Sequence, residues 1–281
     1  MKLAMKFSLL VAIVFMPLSA FAGNDNDCQD LPSYGALKVA LDSAVAAETS
    51  GLDLHMWATV VNRDGVVCAI AFSGTDRGAQ WPGSRVISAQ KASTANSFTL
   101  DRNSASNGSG SPTGLALSTA NLYSAVQPGG SLFGLQESNP VSTADAYKGP
   151  SENFGQANDP LVGEKVGGVN VFGGGLGLYA VGATIVGGVG VSGDTSCADH
   201  NIAWRVRNLL RLDRMAASGA TPAVRGPASL FAGDLTRPDN IIFDIVPNPA
   251  GGTGNSVTGF GHPMCPNTFG SDALPAVRPA Q

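Results

Sequence analysis

Two β-rich runs, 55–62 and 66–72, flank Arg63-Asp64-Gly65. An Asp-Gly turn between such runs is a strong hairpin signature, because the tight turn needs residues that accept positive φ. The hairpin commits this part of the chain to antiparallel pairing. A helix over 31–48 precedes it, with Leu37, Leu41, Ala44 and Val45 at helical spacing and Gly51 after its end. Helices over 85–98 and 115–126 follow, the second stopped before Pro128-Gly129-Gly130. Glycine-separated strands are expected at 169–172, 176–181 and 184–191. A last helix begins near Ser196, where Asp199 completes a capping box and Ile202, Val206, Leu209 and Leu210 form the apolar stripe. Only one connection is long enough for a helical crossover, so the fold class is α/β of the α+β kind with a mostly antiparallel sheet.

Three stretches lack this periodicity. Residues 103–111 are rich in Ser, Asn and Gly and read as a flexible loop. Residues 136–165 are polar with three prolines and read as a long surface excursion. Beyond Asp213 the chain is rich in Pro and Gly, with one strand-like run at 241–246, and reads as an extension pinned by Cys265.

The first 22 residues pair Lys2 and Lys6 with an apolar run from Phe7 to Phe15 and with Ala20 and Ala22 at cleavage-site spacing. That is the composition of a secretory signal peptide, and Pro17 and Ser19 break the run before it could span a bilayer. The expected organisation is a leader over 1–22, one domain over 23–213 and an irregular extension over 214–281. The mature chain is expected to be soluble, periplasmic or secreted, without membrane insertion.

Losing Lys2 and Lys6 takes the formal charge from −4 to −6. An acidic chain without a basic face excludes nucleic acid as a partner. Cys28, Cys68, Cys197 and Cys265 form an even, widely spaced set without a Cys-x-x-Cys pair. In an oxidising compartment this favours two disulfides of open connectivity over a structural zinc site or attached c-type heme.

Two catalytic patterns fail on context. Gly188-Val189-Gly190-Val191-Ser192-Gly193 matches a dinucleotide fingerprint, but its glycines alternate with valines as on one strand face, and no strand-helix-strand unit follows. Ser88-Ala89-Gln90-Lys91 fits the first motif of serine acyl-enzymes without the later ones. A different pattern survives: Ile87, Lys91, Thr94 and Phe98 fall on one helical stripe. A lysine and a hydroxyl on an apolar stripe need partners, which a snorkelling lysine and a back-bonding threonine also provide.

The segments KASTA (91–95), AVQPGGSLFGL (125–135), FGGGLGLY (172–179) and GGVGVSGDTSCADHNIA (187–203), in that order, resemble the GlcG/HbpS-like heme-binding family over 31–213. The resemblance implies a profilin-like or PAS-like fold, a five-stranded antiparallel sheet flanked by helices. It also implies a homo-oligomer and binding of heme or its iron. Lys91 and Thr94 match the family's lysine and threonine on the central helix, the threonine being implicated at the heme. His200 matches a histidine of some members. The 103–111 loop, the 136–165 insertion, the cysteines and the tail depart from the family pattern.

Heme iron prefers imidazole, thiolate, thioether or phenolate ligands, which makes a threonine hydroxyl unusual. Among His55, His200 and His262, His200 shares a helix face with Trp204, Arg207 and Arg211, opposite the apolar stripe. That face offers an axial ligand, an aromatic plane and cations for propionates, or else a subunit contact. Arg85, beside Trp81-Pro82-Gly83, is a further propionate candidate, whereas His55 and His262 read as structural.

The expected heme site is thus Lys91, Thr94, His200, Arg85, Trp204 and Arg207, with His200 and Thr94 at the iron. The expected function is heme or iron capture, storage or redox sensing by a binding protein, with an extracytoplasmic protein partner conceivable. The alternatives are an accessory protein, or an enzyme on a small metabolite with Lys91 as nucleophile or base.

Overall fold

The computed structural model describes residues 28–102, 104, 114–217, 223–252, 254–268 and 273–281. The leader and most of the 103–111 loop lie outside the described residues. The hairpin forms as β1 (Trp57–Asn62) and β2 (Val67–Phe72). Its turn is closed by the Asn62 side chain, whose Oδ1 accepts from the Asp64 and Val66 amides at 3.0 and 2.9 Å, while Gly65 takes φ +78°.

Helix α1 (Tyr34–Ala46) starts at Ser33, whose hydroxyl accepts from the Ala36 amide. Helix α2 (Ser84–Ser97) follows the hairpin. Strands β3 (Gly175–Ala180) and β4 (Thr184–Ser192) and helix α3 (Ser196–Leu209) complete the main elements. The sheet order is β2–β1–β4–β3, antiparallel throughout.

The described sheet has four strands where the resemblance implies five. The 169–172 segment is irregular instead of a strand, and Gly114–Leu115 pairs in parallel with Val224–Arg225 outside the main sheet. The expected 115–126 helix is reduced to a 3-10 turn, Thr119–Asn121, and the short helix Leu122–Ala125. Ser118 and Asn121 cap each other's backbone and start the helical chain there, because the amide of Ala116 is committed to Arg225. The expected 241–246 strand is only Ile245–Val246.

The two sheet faces differ. On one lie α1 and α3, where Leu37, Leu41, Met56, Val60, Leu176, Val189, Ile202 and Trp204 share one core. On the other lies α2, almost entirely buried. Gly188 and Gly190 let it approach: an added Cβ would meet Ala92 O at 2.3 Å and Ser88 O at 2.0 Å. The Gly-Val alternation therefore packs a helix against a strand, and does not cradle a dinucleotide.

The 136–165 segment covers the outer side of α2. It is less superficial than expected, since Ala146 and Leu161 are buried with Trp57, Ile70 and Val86. The tail also contributes: Met215, Val224, Leu274, Val277 and Ala280 join the α1–α3 core. Cys28 pairs with Cys68 and Cys197 with Cys265, the latter tying the first turn of α3 to the tail. Among the described residues no helix is long and apolar enough to cross a membrane.

Candidate functional site

Lys91 stands where α2 crosses the end of β4. Its ammonium lies 2.6 Å from Asp199 Oδ2 and 3.0 Å from Val191 O, with the Phe172 ring centroid at 4.1 Å. Both charged side chains are wholly buried. Burial lowers the Lys91 pKa against the pull of Asp199, and pushes the Asp199 carboxyl up to about 6. Asp199 is not the capping residue that its spacing predicts. Thr195 caps α3, and Asp199 Oδ1 instead accepts from the Gly193 and Asp194 amides at 3.1 and 2.9 Å.

Thr94, one turn along α2, donates to Gln90 O at 2.8 Å and accepts from the Asn170 amide at 2.9 Å. Arg85 is held on both sides of its fork by Asp159, donates to Ala146 O at 2.8 Å, and lies over Phe154. These bonds explain how the irregular 169–172 segment and the 136–165 segment, which holds only the one-turn helix Thr143–Ala146 and short 3-10 turns, are ordered: polar groups on α2 anchor their backbone.

The His200 face of α3 is closed by the tail, contrary to the expected open or subunit-contacting face. Arg207 pairs with Asp239 at 2.6 and 2.9 Å, with neither side chain exposed, and lies over Trp204. Trp204 Nε1 donates to Pro275 O at 3.0 Å. His200 Nε2 lies 3.2 Å from both Asn240 Oδ1 and the Ile241 amide, and its Nδ1 has no partner. Burial drives this imidazole down to about 4, so it is neutral near pH 7. The cations expected to meet propionates are occupied by internal carboxylates, which the sequence could not show.

A cleft of about 580 Å³ opens elsewhere. Tyr123, Gln127, Gly129, Gly130 and Ser131 form one wall, and Ser256, Thr258 and Phe260 from the tail form the other. Ser124 Oγ donates to Gly261 O at 2.6 Å and joins the walls at one end. The Tyr123 ring packs 5.2 Å from that of His262, whose Nε2 lies 2.7 Å from Ser196 Oγ and whose Nδ1 lies 2.7 Å from Pro263 O. None of Lys91, Thr94, Arg85, His200, Trp204 or Arg207 lines this cleft.

Residues 35–207 match the family model described as Haem degrading protein HbpS-like. The chain belongs to the HbpS-like family. Among solved structures it is similar to the Klebsiella pneumoniae protein ORFY, at 23% identity over 64% of this chain and 90% of that one, with a TM-score of 0.39. A PduOC:heme complex is 19% identical over 62% and 89%, with a TM-score of 0.38. HbpS is 19% identical over 64% and 89%, with a TM-score of 0.35. No curated protein matches. The family assignment rests on the sequence match alone.

Within this HbpS-like chain, sequence reasoning missed the carboxylates Asp159, Asp199 and Asp239, the phenol Tyr123, and the Ser196–His262 contact. A buried lysine or arginine demands an acid, so the existence of such partners was inferable. Their identity was not, because Lys91 and Asp199 are 108 residues apart.

Proposed function

We propose that this HbpS-like protein is an exported heme-binding protein, and that heme enters the cleft between residues 123–131 and 254–260. One observation carries the location: the cleft has the size of a small-molecule or cofactor site, and Tyr123, a residue type able to ligate heme iron, stands in its wall. The donor set fits in part. Tyr123 supplies the phenol, Phe260 an aromatic face, and Ser131, Ser256 and Thr258 hydroxyls for carboxylates, although no Lys or Arg lines the cleft. Heme, when bound, supplies the iron chemistry; the chain orients it and limits its access to water. The family description supports heme as the ligand. The two disulfides and the signal-like leader support export. Exposed Phe133, Val257 and Met264 lie in or next to the cleft segments and suit a second copy of the chain.

A second location follows from the unpartnered Nδ1 of His200. A buried ring nitrogen without a partner carries a desolvation cost that a ligand could relieve. In this reading the 239–241 segment moves aside, His200 would hold the iron, Lys91 and Thr94 would fix the central helix, and Arg207, freed from Asp239, and Trp204 would supply a cation and an aromatic plane beside it, whereas Arg85 stays with Asp159. Heme titration of Tyr123→Phe and His200→Ala beside the wild type separates the two. Loss of affinity only in Tyr123→Phe supports the cleft, and loss only in His200→Ala supports the tail-gated site.

A further inference from the structure

Cys197, His262 and Cys265 bring one ligand atom each to within 4.8 Å of one another, and no comparable group gathers at Cys28–Cys68 among the described residues. Cys197 Sγ lies 4.0 Å from His262 Nδ1, although both thiols are now spent on their shared disulfide. We propose that Cys197–Cys265 is a redox gate on a metal site: reduced, it forms with His262 a Cys2His set for a soft cation such as Zn2+.

Three features support this. The first is ligand chemistry. Two thiolates and an imidazole suit Zn2+, whose bonds of about 2.3 Å to sulfur and about 2.0 Å to nitrogen fit among atoms so grouped, with a fourth position for water. The second is the orientation of His262. Ser196 Oγ lies 2.7 Å from Nε2 and accepts from the Gly173 amide at 2.6 Å, so the ring is held from behind with Nδ1 toward the sulfurs. Metal binding at Nδ1 displaces its contact with Pro263 O and leaves Nε2–H to donate to Ser196 Oγ.

The third is the setting of the sulfurs. Cys197 sits in the first turn of a 14-residue helix, and its amide donates to Cys265 Sγ at 3.2 Å. A helix N-terminus and a directed N–H both favour thiolate over thiol. Cys265 is partly exposed while Cys197 is buried, so attack falls on Cys265.

The reductant is a dithiol. One thiolate attacks Cys265 Sγ, the S–S bond breaks, and Cys197 leaves as thiolate. The second thiol then attacks the mixed disulfide, releases Cys265 as thiolate and closes the reductant's own disulfide. Two electrons pass from reductant to protein. The two protons of the dithiol go to solvent when the thiolates take the cation.

The test uses heme-free, full-length mature protein, oxidised or reduced with a phosphine, titrated with Zn2+ against a chromophoric chelator and with Co2+ by absorbance. The reduced form is expected to bind one cation per chain with thiolate-to-cobalt charge transfer. The oxidised form is expected to bind at least about a hundredfold more weakly, reflecting the loss of two of three ligands. Cys28→Ser/Cys68→Ser should keep the reduced-state site. His262→Gln, checked for its fold by circular dichroism and for its disulfide by thiol titration before reduction, should lose about tenfold or more in affinity after reduction. Equal binding by oxidised and reduced protein would overturn the proposal. So would full binding by Cys197→Ser/Cys265→Ser, or circular dichroism showing that the reduced, zinc-loaded chain has lost its fold.

Discussion

Lys91 and Asp199 close an ion pair at 2.6 Å between α2 and α3, with no water-accessible surface on either side chain. Removing one member of such a pair strands the other, at a cost of about 3–5 kcal/mol. Lys91→Met leaves a carboxyl that can still take up a proton. Asp199→Asn keeps an acceptor for the Gly193 and Asp194 amides but leaves a buried ammonium. The double variant should recover at least about 1 kcal/mol relative to the sum of the singles. Urea midpoints of the four proteins measure this, and strict additivity would contradict the pairing.

Acid stability tests the buried imidazoles. His200 and His262 are both held down near 4 by burial, below the ordinary histidine value of 6.5. Between these values the unfolded chain binds protons that the folded chain refuses, so stability is present above pH 6.5 and falls toward pH 4, by on the order of 3 kcal/mol per histidine. Asp199 works in the opposite sense. Its folded value of about 6 exceeds the ordinary aspartate value of 3.8, so acidification through that window relieves a penalty and offsets roughly one histidine. The melting temperature should still decline from pH 6.5 to 4, and His200→Gln should flatten the decline. An unchanged slope in that variant would refute the buried neutral state.

The tail is held over α3 by Arg207 and Asp239. Asp239→Ala removes both carboxylate oxygens from a buried guanidinium and should destabilise the chain by about 3–5 kcal/mol. Hydrogen exchange should accelerate across residues 236–246 before it does in β1 or β4. Uniform acceleration would show that the tail has no separate opening. If the tail-gated heme location holds, the same variant should bind heme more tightly, because His200 loses its cover.

The legible parts of this chain were local ones. The Asp-Gly hairpin and α2 follow from contiguous runs, with expected bounds within two residues of those observed, and α3 starts at the expected Ser196. The stripe carrying Lys91 and Thr94 was legible too, as was the need of both for partners. What failed was tertiary. Asp199 has the spacing of a cap, but Thr195 takes that role and leaves Asp199 for a lysine on another helix. His200, Trp204 and Arg207 lie on one helical face as expected, yet composition could not show that Asp239, Asn240 and Pro275 would cover it. Residues 136–165 look superficial because their order comes from single anchors, such as Asp159 on Arg85, and not from a repeating pattern.

Heme titration of the purified, oxidised mature protein, followed by absorbance, tests the central claim most directly. A saturable Soret shift reaching one heme per chain, weakened by Tyr123→Phe and unaffected by Cys28→Ser/Cys68→Ser, is the expected result. Linear, non-saturating absorbance identical in wild type, Tyr123→Phe and His200→Ala would contradict heme binding at either location.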